Sequence, residues 1–401
     1  MADTGGSKTA AENAFRTPRL TYVDAQEPEG TGEGFGRTKM KSDESSWQRD
    51  NLEADLGYME RAGKRLSRAA MTIVCNWRAT APVLWLKMLL VVLVTLAGAG
   101  CTPEPQAPLR VGTNIWPGYE PLYLARQQGY FSPESIRLVE YTSSSESIRA
   151  FRNGAIDAAA LTLDEVLLLG EMTSDLSIVL VLDISEGGDV ILAQPALSSL
   201  RDLKGKRVGV EASALGAYML TRALQTAEMT LGDVRTVSLE VSEHERAFKE
   251  GRVDAVVTFE PTRTRLLEAG ARKLFDSSQI PGEIVDVIVV RRTYSARYGA
   301  QVNQLVRGWF RALDFIRKDR NQAASLMAPR ERISADDFQK AIQGLHLPNI
   351  EENRSMLAGS TPTLVRTTRQ LGEVMLTSRL IVRPPDLKGL LDGSFVEDAR
   401  P

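Results

Sequence analysis

Residues 153–164 read NGAIDAAALTLD, and residues 250–261 read EGRVDAVVTFEP. In each stretch a glycine is followed two positions later by a β-branched residue, then by an aspartate and a run of small apolar residues. A second pair lies in the same register, because LRVGTN at 109–114 is echoed by KRVGVE at 206–211. The repeat indicates two α/β halves of similar plan, about one hundred residues apart. The alternative is two unrelated α/β domains whose likeness is accidental.

Strand patterns alternate with helix patterns from Leu109 onward. LRVGTN, IRLVEYTSS and AIDAAALT predict strands, and SESIRAFRNG between them predicts a helix. EPLYLARQQGYF predicts another helix, with Pro121 near its start and Gly129 at its end. This alternation predicts parallel sheets with crossover helices. Ligands bind outside the carboxyl ends of such strands, so two halves of this kind predict a cleft between them.

The remaining patterns suggest how the halves are connected. EGGDVILAQP (186–195) and GEIVDVIVVRR (282–292) predict strands that carry the chain to the second lobe and back. We therefore divide the folded part into lobe 1 (109–190), lobe 2 (191–285) and a return to lobe 1 with C-terminal helices (286–401). Ser334 is an expected N-cap ahead of ADDFQKAI, and TLVRTTRQLGEVML predicts a later helix. One helix carries an apolar stripe made of Val302, Leu305, Val306, Trp309, Leu313 and Ile316.

The first hundred residues divide into three parts. Residues 1–70 are polar and lack apolar periodicity, which predicts disorder, or an extension that is not translated if synthesis starts at Met71. Residues 71–101 have a positive flank and a short uncharged apolar run, the parts of an export signal. A transmembrane anchor is the alternative, although Lys87 interrupts the run. Residues 102–108 are proline-rich and would suit a tether.

The signal ends in LAGAGC, which resembles a bacterial lipobox with Cys101 as the lipidated residue. It departs from the usual pattern, because Gly98 stands where leucine is expected and Leu96 lies two places earlier. Ordinary cleavage after Ala97-Gly98-Ala99 stays open. We expect lipidation at Cys101 and a location in the periplasm or at the cell surface.

Composition excludes several classes of function. The chain has 401 residues, of which 43% are hydrophobic and 25% charged, with a net charge of −2. No segment has the basic excess of a nucleic-acid footprint. Cys75 and Cys101 are too few for a disulfide framework or a cysteine zinc site, and His244 and His346 are far apart in sequence. We expect no metal and no cofactor.

Four stretches together resemble the substrate-binding proteins of bacterial ABC importers, nitrate/sulfonate/taurine class, which share their fold with thiamine-pyrimidine synthases. They are VGTNIWPGYEPLYLARQQGYF, RNGAIDAAALTLDEVLLL, LKGKRVGVEASALGAYML and EGRVDAVVTFEP. The resemblance implies a two-lobed periplasmic-binding-protein type II fold, α/β in class, with a C-terminal helical segment. It also implies a small-molecule solute, an ABC permease with its ATPase as partner, and a monomer.

Strand ends select the candidate ligand-binding residues. They are Asn114, Trp116, Tyr119, Ser144, Thr162, Asp164, Ser213, Ala214 and Glu260. The turn at 212–214 precedes a helix and is an anion candidate, although Ser213 could simply cap that helix. Asp164 could likewise be an N-cap, whereas Asp157 and Asp254 recur within the repeat and are expected to fix a helix–strand corner.

Asp164 and Glu260 occupy nearly corresponding places in the two halves, and two acids would favour an amine-bearing ligand. Together with the anion candidate, this pair would suit a zwitterion such as taurine. His244 is expected to be a polar residue at the rim of the cleft. Enzymes of the thiamine-pyrimidine type carry a cysteine-rich motif that this chain lacks after Cys101, so we predict a binding protein and not an enzyme. The alternatives are such an enzyme, a precursor-binding protein or a ligand-sensing receptor domain.

Overall fold

The computed structural model describes residues 86–90, a short helical segment, and residues 107–399. The predictions for residues 1–70, for the signal at 71–101 including Cys101, and for most of the tether lie outside these ranges. No helix within the described ranges is both long enough and apolar enough to cross a membrane.

Residues 107–399 contain two β-sheets. The first sheet has six strands in the order β11-β4-β10-β3-β1-β2, and the second has five in the order β7-β6-β8-β5-β9. Their bounds are β1 Leu109–Thr113, β2 Ile136–Glu140, β3 Ala158–Thr162, β4 Ser177–Ser185, β5 Val190–Ala193, β6 Arg207–Val210, β7 Arg235–Ser238, β8 Ala255–Thr258, β9 Arg272–Asp276, β10 Val285–Val290 and β11 Leu345–His346.

Helices connect and cover the strands of both sheets. They are α1 Glu120–Gln127, α2 Ser144–Arg152, α3 Leu163–Gly170, α4 Ala214–Thr226, α5 Val241–Lys249, α6 Thr262–Glu268, α7 Arg292–Lys318, α8 Arg320–Glu331, α9 Ala335–Ile342, α10 Ile350–Leu357, α11 Thr363–Thr377 and α12 Ser394–Glu397. The expected Ser334 cap is confirmed, since its side chain accepts a hydrogen bond from the Asp337 amide.

The two sheets have matching topologies. In the first, β1 pairs in parallel with β2 and β3, and in the second β6 pairs in parallel with β7 and β8. In each sheet an antiparallel strand adjoins this trio, β10 beside β3 and β5 beside β8. The sheets therefore repeat one plan, as the sequence repeat predicts.

The repeated aspartates fix equivalent corners. Asp157 accepts hydrogen bonds from the backbone amide and the guanidinium of Arg110, and its Oδ1 lies 2.8 Å from Arg110 Nη2. Asp254 accepts the same bonds from Arg207, with Oδ1 2.9 Å from Nη2. The expected structural role of both aspartates is confirmed.

The repeated glycines have a conformational reason. Gly154 and Gly251 have φ values of +71° and +67°. Glycine adopts this left-handed conformation without the steric cost that a Cβ brings, so it ends the preceding helix.

The chain crosses between the sheets twice, at residues 186–189 after β4 and at residues 277–284 before β10. Ser185 Oγ and Ser277 Oγ are 2.8 Å apart, and Ser277 Oγ also accepts a hydrogen bond from the Gly187 amide at 2.7 Å. The Ser277 amide donates to the Asp189 carbonyl at 3.0 Å. These bonds hold the two connections side by side.

Candidate functional site

A row of polar side chains crosses the first sheet where β3, β10 and β4 meet. In the strand register Asp286 lies opposite Thr162 on one side and opposite Asp183 on the other. All three residues are buried. Two neighbouring carboxyl groups in the interior of a sheet are costly unless they are protonated or paired.

Two aromatic side chains donate to these carboxyl groups. Trp116 Nε1 donates to Asp183 Oδ2 at 3.1 Å, and Tyr119 Oη donates to Asp286 Oδ1. Both aromatic residues come from the loop after β1, which includes the short 3-10 turn Pro117–Tyr119. Gly118 lets this loop approach closely, because a Cβ there would collide with the Asp183 carboxyl group.

The second sheet closes over this row. Phe259, which follows β8, meets Trp116 edge to face, with the ring centroids 5.5 Å apart at an angle of 89°. Glu211, which follows β6, accepts hydrogen bonds at 3.0 Å from both the amide and the hydroxyl of Ser145 at the start of α2. These contacts join strand ends of one sheet to strand ends of the other.

A small cavity lies between the sheets, with a volume of about 10 Å³. Five of the predicted residues line it, namely Asn114, Trp116, Tyr119, Ser144 and Thr162. Ser144 Oγ lies 3.5 Å from Asn114 Oδ1. This space suffices for about one water molecule, so any larger ligand requires the sheets to move apart.

Four lining residues were not predicted, and they are Asp189, Leu215, Phe259 and Asp286. The sequence does contain a signal for Asp286, and for Asp183 behind the cavity wall. Each of these aspartates interrupts an otherwise apolar strand, VDVIVV and VLDIS respectively. An acid inside such a run is rare enough to be informative. Phe259 and Leu215 carry no such signal, since both look like ordinary core residues.

Trp116 belongs to the apolar core as well as to the cavity wall. It is 4% exposed, and a Cβ on Gly188 would come within 2.8 Å of its ring. Trp116 is therefore both a core residue and part of the cavity wall, and its contact with a ligand stays a prediction.

The other predicted residues lie beside the cavity and do not line it. Asp164 is fully buried near the start of α3, where the N-cap position belongs to Thr162, so the cap role expected for Asp164 is wrong. Glu165 completes a capping box with Thr162, because its Oε2 accepts a hydrogen bond from the Thr162 amide at 3.1 Å. Both Asp164 oxygens lack a hydrogen-bond partner among the described residues.

Glu260, a candidate ligand-binding residue, has a local structural role at the start of α6. Its oxygens accept from the amide and hydroxyl of Thr264 at 3.0 Å, and Arg263 forms an ion pair with it at 3.3 Å. Glu260 therefore caps the start of α6 and neutralises Arg263.

The turn at 212–214 precedes α4 as expected, but its surroundings are acidic. Ser213 occupies the N-cap position without a side-chain capping bond, and Ala214 is buried beside it. Glu211 lies two residues earlier and is 4% exposed. A buried carboxyl group next to the helix start disfavours the anion site that we expected there.

The prediction that His244 lies at the rim of the cleft is wrong. Its side chain is fully buried under the second sheet, with Nδ1 3.2 Å from Thr258 Oγ1. Burial lowers the pKa of His244 to about 4, so the ring is neutral at pH 7.

Burial is the first cause of the raised pKa values around the cavity. It raises the pKa of Asp189 to about 6 and, with the nearby charge of Asp189, that of Asp183 to about 8. The pKa of Asp286 is raised well above its usual range by burial and then by the charge of Asp183. Burial likewise raises the pKa of Asp164 to about 7 and that of Glu165 to about 8. The site therefore holds protonated carboxyl groups that a suitable ligand could ionise.

Residues 102–328 match the family described as NMT1-like. Two curated relatives carry the name "Putative aliphatic sulfonates-binding protein". The one from Escherichia coli K12 is 26% identical over 49% of this chain and 62% of its own length. The one from Bacillus subtilis 168 is 21% identical over 78% of this chain and 95% of its own. The chain thus spans less than two thirds of the first relative.

Solved structures share the fold. The alkanesulfonate-binding protein SsuA from Xanthomonas axonopodis pv. citri, bound to MOPS, superposes with a TM-score of 0.62 at 19% identity, covering 73% of this chain and 100% of that one. The desulfurization enzyme DSZB matches with a TM-score of 0.54 at 17% identity, over 72% and 98% of the two chains. The predicted periplasmic-binding-protein fold is confirmed. Both sequence relatives are named as binding proteins, which agrees with the prediction of a binding protein and not an enzyme.

Proposed function

Because the chain belongs to the NMT1-like family, we propose that it is an extracytoplasmic solute-binding protein of an ABC importer. It captures a small organic or oxyanionic solute between its two sheets and delivers it to a permease driven by an ATPase. A sulfonate, taurine or nitrate is the class that the family resemblance offers.

One observation carries this proposal: two sheets of the same plan meet around a polar cavity and are joined by two adjacent connections. Trp116 against Phe259, and Ser145 against Glu211, are contacts that exist only when the sheets are closed on each other. The cavity of about 10 Å³ is too small for an organic solute in this arrangement. Capture therefore involves opening about residues 186–189 and 277–284, followed by closure on the solute.

The solute stabilises the closed form, and a permease can recognise that form. A ligand shifts the equilibrium between open and closed forms by its difference in affinity for the two. Contacts that the solute makes with both sheets in the closed form contribute to that difference.

We test solute binding by thermal shift with a panel of taurine, alkanesulfonates, nitrate, bicarbonate, pyrimidines, polyamines and amino acids. A ligand at a hundred times its Kd adds about 2.7 kcal/mol to the stability of the folded form. A saturable rise in Tm with one class supports the function, whereas a folded protein that responds to no member of the panel or of a bacterial metabolite extract contradicts it.

The proposal includes attachment to a membrane through a lipid on Cys101, with the proline-rich residues 102–108 as tether. The protein then works as a monomer at the outer side of the membrane that holds its permease. The test compares the wild-type protein with Cys101→Ala in membrane and soluble fractions. Equal retention of the two in the membrane fraction would contradict lipidation.

A further inference from the structure

We propose that the solute carries an organic ammonium group, which Asp189 and Asp286 bind beside the ring of Trp116. This inference rests on the proposed function, since it names the solute class of the same cavity. It departs from the plain sulfonates that give the curated relatives their name.

The first argument is that a buried carboxyl oxygen at the cavity lacks a hydrogen-bond donor. Asp189 lines the cavity, is 3% exposed, and its Oδ2 has no hydrogen-bond partner among the described residues. A buried acceptor without a donor is costly. A ligand with N–H donors would satisfy this oxygen, and a sulfonate has none to offer.

The second argument is charge. Among the described residues, none of Asp183, Asp189, Asp286, Asp164 and Glu165 has an ion-pair partner within 4.0 Å. Residues 86–90 and 107–399 thus leave this cluster without a direct counter-ion.

Arg263 is a cation whose charge lowers the pKa of Asp189. It also forms an ion pair with Glu260 at 3.3 Å. The cavity consequently disfavours an anion and favours a cation.

The third argument is the aromatic wall. Trp116 and Phe259 both line the cavity and meet edge to face. An ammonium group beside an indole gains a cation–π attraction, which is larger when water is excluded. Carboxyl groups together with an indole are a combination suited to an organic cation.

A metal ion is a poor alternative for this cavity. Within the described ranges, no three His, Cys, Asp or Glu side chains are grouped so that they could hold one. The cavity is therefore better suited to an organic cation than to a metal ion.

The experiment uses two fractions of a deproteinised bacterial extract. At pH 3 a cation exchanger retains amines and amino acids, and an anion exchanger then retains sulfonates and other anions without an amine. Aminosulfonates are net neutral at this pH and pass both columns, so the material that passes both is pooled with the amine-bearing fraction. Propylammonium, 3-aminopropane-1-sulfonate and propane-1-sulfonate serve as defined probes of similar size. Each sample is tested by thermal shift at pH 7.5.

We expect the amine-bearing fraction and at least one ammonium probe to raise Tm, by about 5 °C near saturation. The anion fraction and propane-1-sulfonate should leave Tm unchanged. Asp189→Asn should weaken the response at least tenfold, and Asp336→Asn, which removes an exposed acid, should keep it. Asp286→Asn replaces Asp189→Asn if the latter does not fold.

The outcomes separate the two proposals. A response to the anion fraction alone, or one that Asp189→Asn and Asp286→Asn both leave intact, overturns the ammonium assignment and keeps solute binding. A lack of response to both fractions contradicts solute binding itself, and the ammonium assignment with it.

Discussion

Trp116 Nε1 donates a hydrogen bond to Asp183 Oδ2 at 3.1 Å, from a loop after the first strand to the interior of the fourth. The two residues are 67 positions apart in sequence. Their contact fixes the cavity wall to the sheet, because the same indole also packs against Phe259 and Gly188. The indole of Trp116 and the buried carboxyl group of Asp183 thus form one structural unit.

Replacing Trp116 by Phe should test that unit. The ring remains but the donor is lost, so Asp183 keeps a buried acceptor without its indole partner. We expect a loss of about 1–3 kcal/mol in the free energy of unfolding beyond the change in packing. Urea denaturation measures this loss. Trp309→Phe is the matched control, since Trp309 is buried with an Nε1 that has no hydrogen-bond partner among the described residues. Equal costs for both variants would refute the importance of the hydrogen bond.

Gly118→Ala should disturb the same contact by sterics. A Cβ at this position would overlap the Asp183 carboxyl group and lie 2.5 Å from Trp116 Nε1. We expect destabilisation of about 1–3 kcal/mol and loss of solute affinity, because the loop must move away from the sheet. Gly170→Ala is the control: the added Cβ would lie 4.0 Å from Leu176 Cδ1, so this variant should be neutral or slightly stabilising. Thermal melts compare the two, and a neutral Gly118→Ala would contradict the packing argument.

The stability of the protein without added solute should fall as pH rises from 6.5 to 8.5. Burial raises the pKa of Asp183 from 3.8 to about 8, so in this window the folded state holds a proton that the unfolded chain has released. Stability then decreases by up to about 1.4 kcal/mol per pH unit for each such carboxyl group, and the slope becomes smaller as the pH passes the folded-state pKa. Burial lowers the pKa of His244 from 6.5 to about 4, so its titration makes stability increase with pH between about 4 and 6.5. Above pH 6.5 it contributes no slope.

Urea midpoints at three pH values between 6.5 and 8.5 measure this slope. Asp183→Asn should flatten it, since an amide does not titrate, while Asp336→Asn should not change it. A wild-type stability that increases with pH over this range would show that the carboxyl groups are ionised in the folded state.

Glu211→Ala should favour the open arrangement. Glu211 accepts two hydrogen bonds from Ser145 across the gap between the sheets, both at 3.0 Å. Their loss should weaken solute affinity roughly tenfold, which corresponds to about 1.4 kcal/mol, because closure becomes less favourable. Small-angle X-ray scattering should show a larger radius of gyration. Glu250→Ala removes an acid whose side chain is 54% exposed and should change neither quantity. An unchanged radius for Glu211→Ala would mean that this contact does not hold the sheets closed.

Much of the fold follows from local patterns. The repeated Gly-x-Ile/Val-Asp stretches predicted two similar halves, and Arg110–Asp157 and Arg207–Asp254 show why the aspartate recurs: it ties the helix end to the start of the first strand of each half. The loop after β1 was correctly predicted to supply the cavity, since strand ends in α/β sheets meet at one edge. Asp189 and Asp286 were missed, because Asp189 lies in the connection after β4 and Asp286 lies near the start of β10, whereas the strand-end rule selects residues at the carboxyl ends of parallel strands.

The sequence by itself determined the alternation of strands and helices, the internal repeat and the glycines that end helices, because these depend on neighbours a few residues away. Only the tertiary structure decided that Thr162, Asp286 and Asp183 form one row and that Trp116 lies against it. Strand order and register set those distances, and both arise from packing between segments far apart in the chain. The charge of the cavity is decided there too, since burial raises the pKa values of its acids, and burial is a property of the whole fold.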